Sequence, residues 1–210
     1  MKRYLLFSTL ILIGSMIAVP KPENLFMGIL ISYIGFMLLN MYPFCFKFHI
    51  PKIIIIFVIV FSVLCIGYGW GTIIHNSQGT PPGIVTFFGA LVLIISCAGW
   101  AMCLMDWIVT IKSHGLVSES LYIKRTYALI RHPQVFFSLL LLIGFDLYYW
   151  SEALAWTTLL WIIGLVSYAA LEEKLELIPR FGEEYLTYCD TTPGIFPNKS
   201  SIKRFFESYT

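Results

Sequence analysis

The first residues with chemical potential lie in a basic segment that runs from Tyr127 to Gln134. It contains Arg131-His132-Pro133 directly before a long apolar run, and Pro133 suits the first turn of a helix. A guanidinium beside an imidazole can bind a carboxylate or another anion. Basic residues at the start of an apolar helix are also ordinary anchors of membrane topology, so this segment alone leaves both interpretations open.

A pair of carboxylates, Glu172 and Glu173, follows the last apolar run. Charges at the end of a membrane helix are costly unless they are paired or solvated. The C-terminal end of a helix dipole is also unfavourable for anions. We therefore expect Lys174, Arg180 or a bound cation to compensate the pair. The alternative is an interfacial helix whose acidic face is solvated.

A third group combines aromatic and turn-forming residues between positions 179 and 197. Pro179 is expected to stop the helix that precedes it, and Gly182 permits a turn. Tyr185 and Tyr188, with a leucine between them, then predict a short surface helix. Such aromatic side chains also occur as plain anchors at membrane interfaces.

The elements that must position these groups are apolar helices. Of the 210 residues, 58% are hydrophobic and only 12% are charged, well below the charged fraction of soluble domains. A bilayer can act as the solvent for so much apolar surface. We predict an all-α, multi-pass transmembrane helix bundle of about six spans, with a short cytoplasmic C-terminal helical segment. The predicted spans are Tyr4–Val19, Leu25–Met41, Ile53–Ile74, Ile84–Met105, Val135–Trp150 and Ala153–Leu171.

The distribution of Lys and Arg is strongly one-sided in this arrangement. With six spans, 13 of the 14 basic residues fall on one side and only Lys21 on the other. Because positive residues concentrate in cytoplasmic loops, both termini are predicted to be cytoplasmic, in the inner membrane if the cell is prokaryotic. The net charge of +2 and the absence of a basic run argue against nucleic acid as a partner. The histidines and cysteines are too scattered to predict a metal site.

Taken in order, the three groups resemble the isoprenylcysteine carboxyl methyltransferase and phospholipid methyltransferase superfamily of membrane enzymes. That family has an Arg-His-Pro segment, a helical hairpin, a Glu-Glu pair, a Phe-Gly-x-x-Tyr-x-x-Tyr run and a Pro-x-x-x-Pro tail. The matching residues here are Arg131-His132-Pro133, Glu172-Glu173, Phe181-Gly182-Glu183-Glu184-Tyr185-Leu186-Thr187-Tyr188, Pro193 and Pro197. The resemblance covers about residues 100–197. We therefore predict a catalytic membrane region with a cytoplasmic cofactor pocket in residues 84–210, and three N-terminal spans without a matched motif in residues 1–83.

The resemblance implies transfer of a methyl group from S-adenosylmethionine to a lipophilic or lipid acceptor. The acidic pair then suits the ammonium of the cofactor, Arg131 or His132 suits its carboxylate, and the tyrosines suit the adenosine. Arg131 and Glu173 are the implied catalytic residues. The implied cofactor-binding residues are Tyr127, Arg131, His132, Gln134, Glu172, Glu173, Tyr185 and Tyr188.

Several residues depart from the family pattern. Arg125 stands where the family usually has a glycine, and Ser167 and Tyr168 stand where the carboxyl methyltransferases have an arginine. The methyl acceptor therefore stays open among carboxylate, amine, hydroxyl and thiol. The sequence does not indicate the oligomeric state. A sterol-reductase-like enzyme that uses NADPH and a non-enzymatic membrane scaffold are the alternative functions.

Two further features have ordinary interpretations. The run Gly67-Tyr68-Gly69-Trp70-Gly71 is interpreted as helix-packing glycines within a span. Asp106, an acid at the inner end of the fourth span, is interpreted as paired with Arg131 or Lys112, or as solvated at the interface.

Overall fold

A computed structural model describes residues 28, 31–32, 34–35, 38, 51–76, 81–114, 120–150 and 152–208. These residues form helices joined by turns and short connections, and no strand occurs among them. The all-α class predicted from the sequence is therefore confirmed. The predicted span Tyr4–Val19 and most of Leu25–Met41 lie outside the described residues.

The helices differ greatly in length. The long ones are α1 (Lys52–Asn76), α2 (Gly83–His114), α4 (Pro133–Tyr149) and α5 (Glu152–Glu172). The short ones are α3 (Thr126–Leu129), α6 (Ile178–Phe181), α7 (Glu183–Thr191) and α8 (Lys199–Glu207).

Three helical stretches are long and apolar enough to cross a bilayer: Ile56–Ile73, Gly83–Thr110 and Leu154–Phe181. Helix α4 is a shorter apolar helix of 17 residues. Large apolar side chains on α1 and α2 are exposed, with Phe57 and Ile94 each at 67%. Lipid rather than water is the solvent that suits such surfaces. These features suggest a membrane protein, while the count of six spans stays a prediction.

The chain divides into two compact units, one from Met1–Phe87 and Phe145–Gly164 and the other from Phe88–Gly144 and Leu165–Thr210. The first unit contains the hairpin between α4 and α5. It is as tight as predicted, since α4 ends at Tyr149 and α5 begins at Glu152. Trp150, with a φ of 49°, donates its backbone N–H to the carbonyl of Asp146 and ends α4.

Helix α1 makes one very close backbone approach within the first unit. A Cβ added to Gly69 would lie 2.5 Å from both the carbonyl oxygen of Gly28 and the backbone nitrogen of Ser32. At Gly67 and Gly71 an added Cβ would meet open space. The helix-packing interpretation is therefore confirmed for Gly69, while Gly67 and Gly71 lie on another face of α1 and meet no neighbour among the described residues.

In the second unit, α2 and α4 also pack through small residues. The side chain of Ser96, fully buried, donates to the carbonyl of Phe137 at 2.6 Å. A Cβ added to Gly99 would lie 2.1 Å from the ring of Phe137, so the ring occupies the space that glycine leaves. Small residues with polar groups are the usual means by which apolar helices associate closely in membranes.

Helix α5 continues into a π-helical segment, Glu173–Leu177, and then into α6. Pro179 does not stop the helix, contrary to the expectation from the sequence. The helical run continues past it: the π-helical segment ends at Leu177 and α-helical geometry resumes at Ile178, so Pro179, which has no N–H to donate, lies directly after the change of geometry. The helical run ends instead at Gly182, whose φ of 55° favours glycine.

Candidate functional site

The Arg-His-Pro segment is fixed by its backbone. Ile130, fully buried, is extended and separates the short α3 from α4. The backbone N–H groups of Arg131 and His132 donate to the carbonyls of Pro193 and Gly194, at 2.9 and 3.0 Å. The C-terminal tail therefore runs directly beside the start of α4. This pairing also satisfies two donors that precede the first turn of the helix.

The side chains of this segment form an ion cluster with the acidic pair. One carboxylate oxygen of Glu173 accepts hydrogen bonds from the Arg131 Nε at 2.9 Å and the His132 Nε2 at 2.8 Å. The other imidazole nitrogen, Nδ1, lies 3.4 Å from a carboxylate oxygen of Glu172. The acidic pair is compensated by Arg131 and His132, whereas the sequence led us to expect Lys174, Arg180 or a bound cation in this role.

His132 is nearly buried, and both of its ring nitrogens face carboxylates. Burial by itself lowers the pKa of His132, but the hydrogen bonds and charges of Glu172 and Glu173 raise it to about 9. The imidazole is therefore charged at neutral pH and donates from both nitrogens. The cluster contains two cations and two anions, which balances its charge.

Two consecutive glutamates reach one imidazole where the helix geometry changes. Glu172 is the last residue of α5, and Glu173 is the first of the π-helical segment. A π-helical turn shifts the direction of the side chains that follow it, and such turns are frequent at functional sites. The sequence contained no signal for this turn.

Arg131 also ties the tail to the cluster. Its Nη1 donates to the carbonyls of Cys189 and Thr192, at 3.1 and 2.7 Å. One guanidinium thus joins the acidic pair, the end of α7 and the tail. The geometry uses the planar set of donors that distinguishes arginine from lysine. The prolines of the tail are recognisable in the sequence. Its backbone carbonyls could not be identified as partners of Arg131, because every residue has a carbonyl group.

The aromatic residues of α7 occupy different roles. Tyr188 donates its hydroxyl to the carbonyl of Tyr127 at 2.6 Å, so its donor is used inside the protein. Tyr185 is 1% exposed, and its hydroxyl has no hydrogen-bond partner of ordinary geometry among the described residues. Burial first, and then the charge of Glu173, raises the pKa of Tyr185 above its ordinary value. The Tyr185 hydroxyl is therefore a protonated, buried donor beside the acidic pair.

Tyr127 and Gln134 complete the set. The Gln134 side-chain amide donates to the Tyr127 hydroxyl at 2.7 Å, and the Tyr122 ring meets the Tyr127 ring edge-on. The structure thus connects all eight residues that the resemblance implied. They fall into two groups. The ion cluster contains Arg131, His132, Glu172 and Glu173, and the second group links Gln134, Tyr127, Tyr188 and Tyr185 by hydrogen bonds and ring contacts. Arg131 joins the two groups through its hydrogen bond to the carbonyl of Cys189, next to Tyr188 in α7.

Asp106 forms a separate buried cluster. It is 1% exposed, and its carboxylate accepts from the backbone N–H and hydroxyl of Thr126 and from Arg125 Nη1 at 3.4 Å. The interpretations that it pairs with Arg131 or is solvated at the interface were therefore wrong. The pairing was hard to predict because Arg125 has a φ of 56°, which L side chains rarely adopt. Glycine would adopt that conformation without a steric penalty.

Comparison of the chain with protein-family models, with curated proteins and with solved structures finds no match. Among the described residues, no group of three or more His, Cys, Asp and Glu side chains is arranged to hold a metal ion.

Proposed function

We propose that this protein is an integral membrane methyltransferase, which transfers a methyl group from S-adenosylmethionine to a lipophilic or membrane-associated acceptor. The observation that carries the proposal is the buried hydroxyl of Tyr185, which makes no hydrogen bond of ordinary geometry among the described residues, beside the cluster of Arg131, His132, Glu172 and Glu173. A buried hydroxyl without a partner is costly, so a ligand that accepts its hydrogen bond would stabilise this place.

The donor and acceptor groups fit the polar part of S-adenosylmethionine. Glu172 contacts His132 at 3.4 Å and retains acceptor capacity for an ammonium, because a carboxylate has about four lone-pair sites. The Tyr185 hydroxyl can donate a hydrogen bond to an acceptor atom of the cofactor. Arg131 donates a hydrogen bond to Glu173, so both side chains are already engaged within the protein. In this proposal they position Glu172 and the tail, and their opposite charges keep the site close to neutral.

The cofactor supplies an activated methyl group on a sulfonium. The protein's own part is to bind the cofactor, orient it towards the acceptor and exclude water. A carboxylate or thiolate acceptor needs no base, so a cluster in which every acid is paired is compatible with the reaction. The tail that crosses the start of α4 is the segment that would exclude water here.

Calorimetric titration of the purified protein with S-adenosylmethionine tests the proposal. We expect binding by the wild type, and affinity reduced about tenfold or more in Glu172→Gln and Tyr185→Phe. Glu184→Gln, at an exposed position on α7, is the matched control and should bind as the wild type does. Absence of binding to the wild type at about 1 mM cofactor would falsify the proposal.

A non-enzymatic scaffold is the second candidate, because Arg131, His132 and Glu173 satisfy one another as a structural cluster does. In that case neither S-adenosylmethionine nor NADPH protects the wild type from thermal unfolding. Protection by NADPH alone would instead favour a sterol-reductase-like enzyme.

Methyl labelling of a total membrane extract, with the Tyr185→Phe variant as control, would identify the acceptor.

A further inference from the structure

The C-terminal helix α8 presents an apolar stripe away from the protein. Its inner side packs against α3 through residues such as Ser201, which is fully buried. Ile202 and Phe206, one turn apart, face outward and are 42% and 66% exposed. The helix is well defined at its N-terminus, where the Asn198 side chain and Ser201 form reciprocal capping bonds. A stable helix therefore displays a stripe that water does not suit.

Basic side chains border this stripe. Lys199 and Lys203 are exposed and lie three residues before Ile202 and Phe206, respectively, so each is a neighbour of the stripe on the helix surface. Lys203 makes an ion pair of 3.6 Å with Glu207, at exposures of 78% and 59%, and such exposed pairs are weak. An apolar stripe with flanking lysines is typical of helices that lie in a membrane interface.

Contacts on both sides of α8 fasten it to the polar segment that leads into the apolar α4. The Ser208 hydroxyl, just after α8, accepts from the backbone N–H of Arg125 at 3.1 Å, next to α3. Before α8, the Phe196 ring meets the ring of Phe136 edge-on at 6.2 Å, in the first turn of α4. The tail is thus fastened at the start of the apolar α4 on one side of α8 and beside the short α3 on the other.

We propose that α8 lies in the headgroup layer of the membrane and binds anionic phospholipids. Ile202 and Phe206 insert among the parts of the acyl chains next to the headgroups. Lys199 and Lys203 bind lipid phosphates while their methylene stems cover apolar surface. Lys199 and Lys203 favour lipid over a second copy of this chain as the partner, because two such faces in contact would bring lysines together. This assignment is independent of methyl transfer.

Thiol accessibility in nanodiscs tests the proposal with a matched pair of positions. Phe206→Cys and Glu207→Cys introduce thiols at adjacent sites of similar exposure in the protein itself, 66% and 59%. The protein is placed at one copy per disc in equal amounts of phosphatidylglycerol and phosphatidylcholine. A charged maleimide should then label position 206 about tenfold more slowly than position 207, after subtraction of the wild-type background. Equal rates at the two positions would overturn the insertion.

A second comparison tests the anionic lipid. Lys199→Gln combined with Lys203→Gln should raise the labelling rate at position 206 several-fold, as should pure phosphatidylcholine. Lys124→Gln, an exposed lysine outside α8, should leave the rate unchanged. Protection that is insensitive to lipid charge and to the two lysines would overturn the binding of phosphates. Protection that appears only with two copies per disc would overturn the proposal in favour of self-association.

Discussion

At the scale of single residues, the proton on His132 has the widest consequences. Its Nε2 lies 2.8 Å from Glu173 and its Nδ1 lies 3.4 Å from Glu172, so both contacts need a donor. A neutral imidazole has only one N–H, and loss of the proton leaves one carboxylate facing a lone pair. The ion cluster is therefore built for the charged form of this histidine.

We expect the protein to lose stability as pH rises towards and through about 9. The folded-state pKa of His132 is about 9, above the unfolded value of roughly 6.5. Its contribution to the free energy of unfolding is therefore complete below about pH 6.5 and is lost progressively above it, to a total on the order of 3 kcal/mol. Thermal unfolding of the solubilised protein between pH 6 and 10 measures this as the difference between the wild type and His132→Asn. The exposed His75→Asn serves as control, and parallel curves for the wild type and His132→Asn would contradict the prediction.

Arg125 combines a favourable ion pair with an unfavourable backbone conformation. Its φ and ψ of 56° and −123° are nearly those of Gly182, at 55° and −130°. A side chain in this region costs about 1–3 kcal/mol. The guanidinium of Arg125 reaches the buried carboxylate of Asp106, and this ion pair offsets part of that cost.

Replacement of Arg125 by glycine and by alanine separates these two effects. Both variants lose the ion pair, but only Arg125→Gly also relieves the backbone. We expect Arg125→Gly to be more stable than Arg125→Ala by about 1 kcal/mol or more, the reverse of the usual order of these residues. Thermal unfolding of the two variants checks the order, and an alanine variant as stable as the glycine variant would exclude strain at this position.

At the scale of elements, α1 shows how one face of an apolar helix is committed to packing. Gly69 faces backbone atoms of Gly28 and Ser32, while Gly71 faces open space. The two residues differ by two positions in the sequence, which places them on nearly opposite sides of the helix. Residue type alone cannot separate them.

Alanine substitution distinguishes the two glycines. Gly69→Ala places a methyl group against backbone atoms that cannot rotate away, so we expect destabilisation of about 1–3 kcal/mol. Gly71→Ala should be neutral or slightly stabilising, because alanine favours helix and nothing opposes its methyl group. Thermal unfolding in the same detergent measures both, and equal effects of the two substitutions would rule out the close approach.

At the scale of the whole molecule, the membrane arrangement is the property that the sequence predicts most firmly. Three helical stretches long enough to span a bilayer match the predicted spans Ile53–Ile74, Ile84–Met105 and Ala153–Leu171, while α4 lies where the fifth is predicted but is shorter. Reporter fusions test the full arrangement. A reporter active only in the cytoplasm should be active after Gly115 and after Thr210, and inactive after Gln78 and after Ser151. Activity after Ser151 would contradict six spans with cytoplasmic termini.

Much of the candidate site could be predicted from the sequence because its residues stand in recognisable motifs. Arg131, His132 and the acidic pair were singled out by charge at the ends of apolar runs, and the structure brings them into contact. The role of Tyr188 as a donor to Tyr127, 61 residues away, could not be predicted. A hydroxyl can serve a ligand or the protein equally well, and only its neighbours decide between them.

The sequence by itself determined the helical class, the apolar stretches and the segments that hold the charges, because composition and periodicity are local properties. Only the tertiary structure decided the partners. It joined Asp106 to Arg125, turned the carbonyls of Pro193 and Gly194 towards the start of α4, and buried the Tyr185 hydroxyl without a hydrogen bond of ordinary geometry among the described residues. Such pairings depend on how segments far apart in the chain approach one another, and backbone groups and strained conformations carry no mark in residue type.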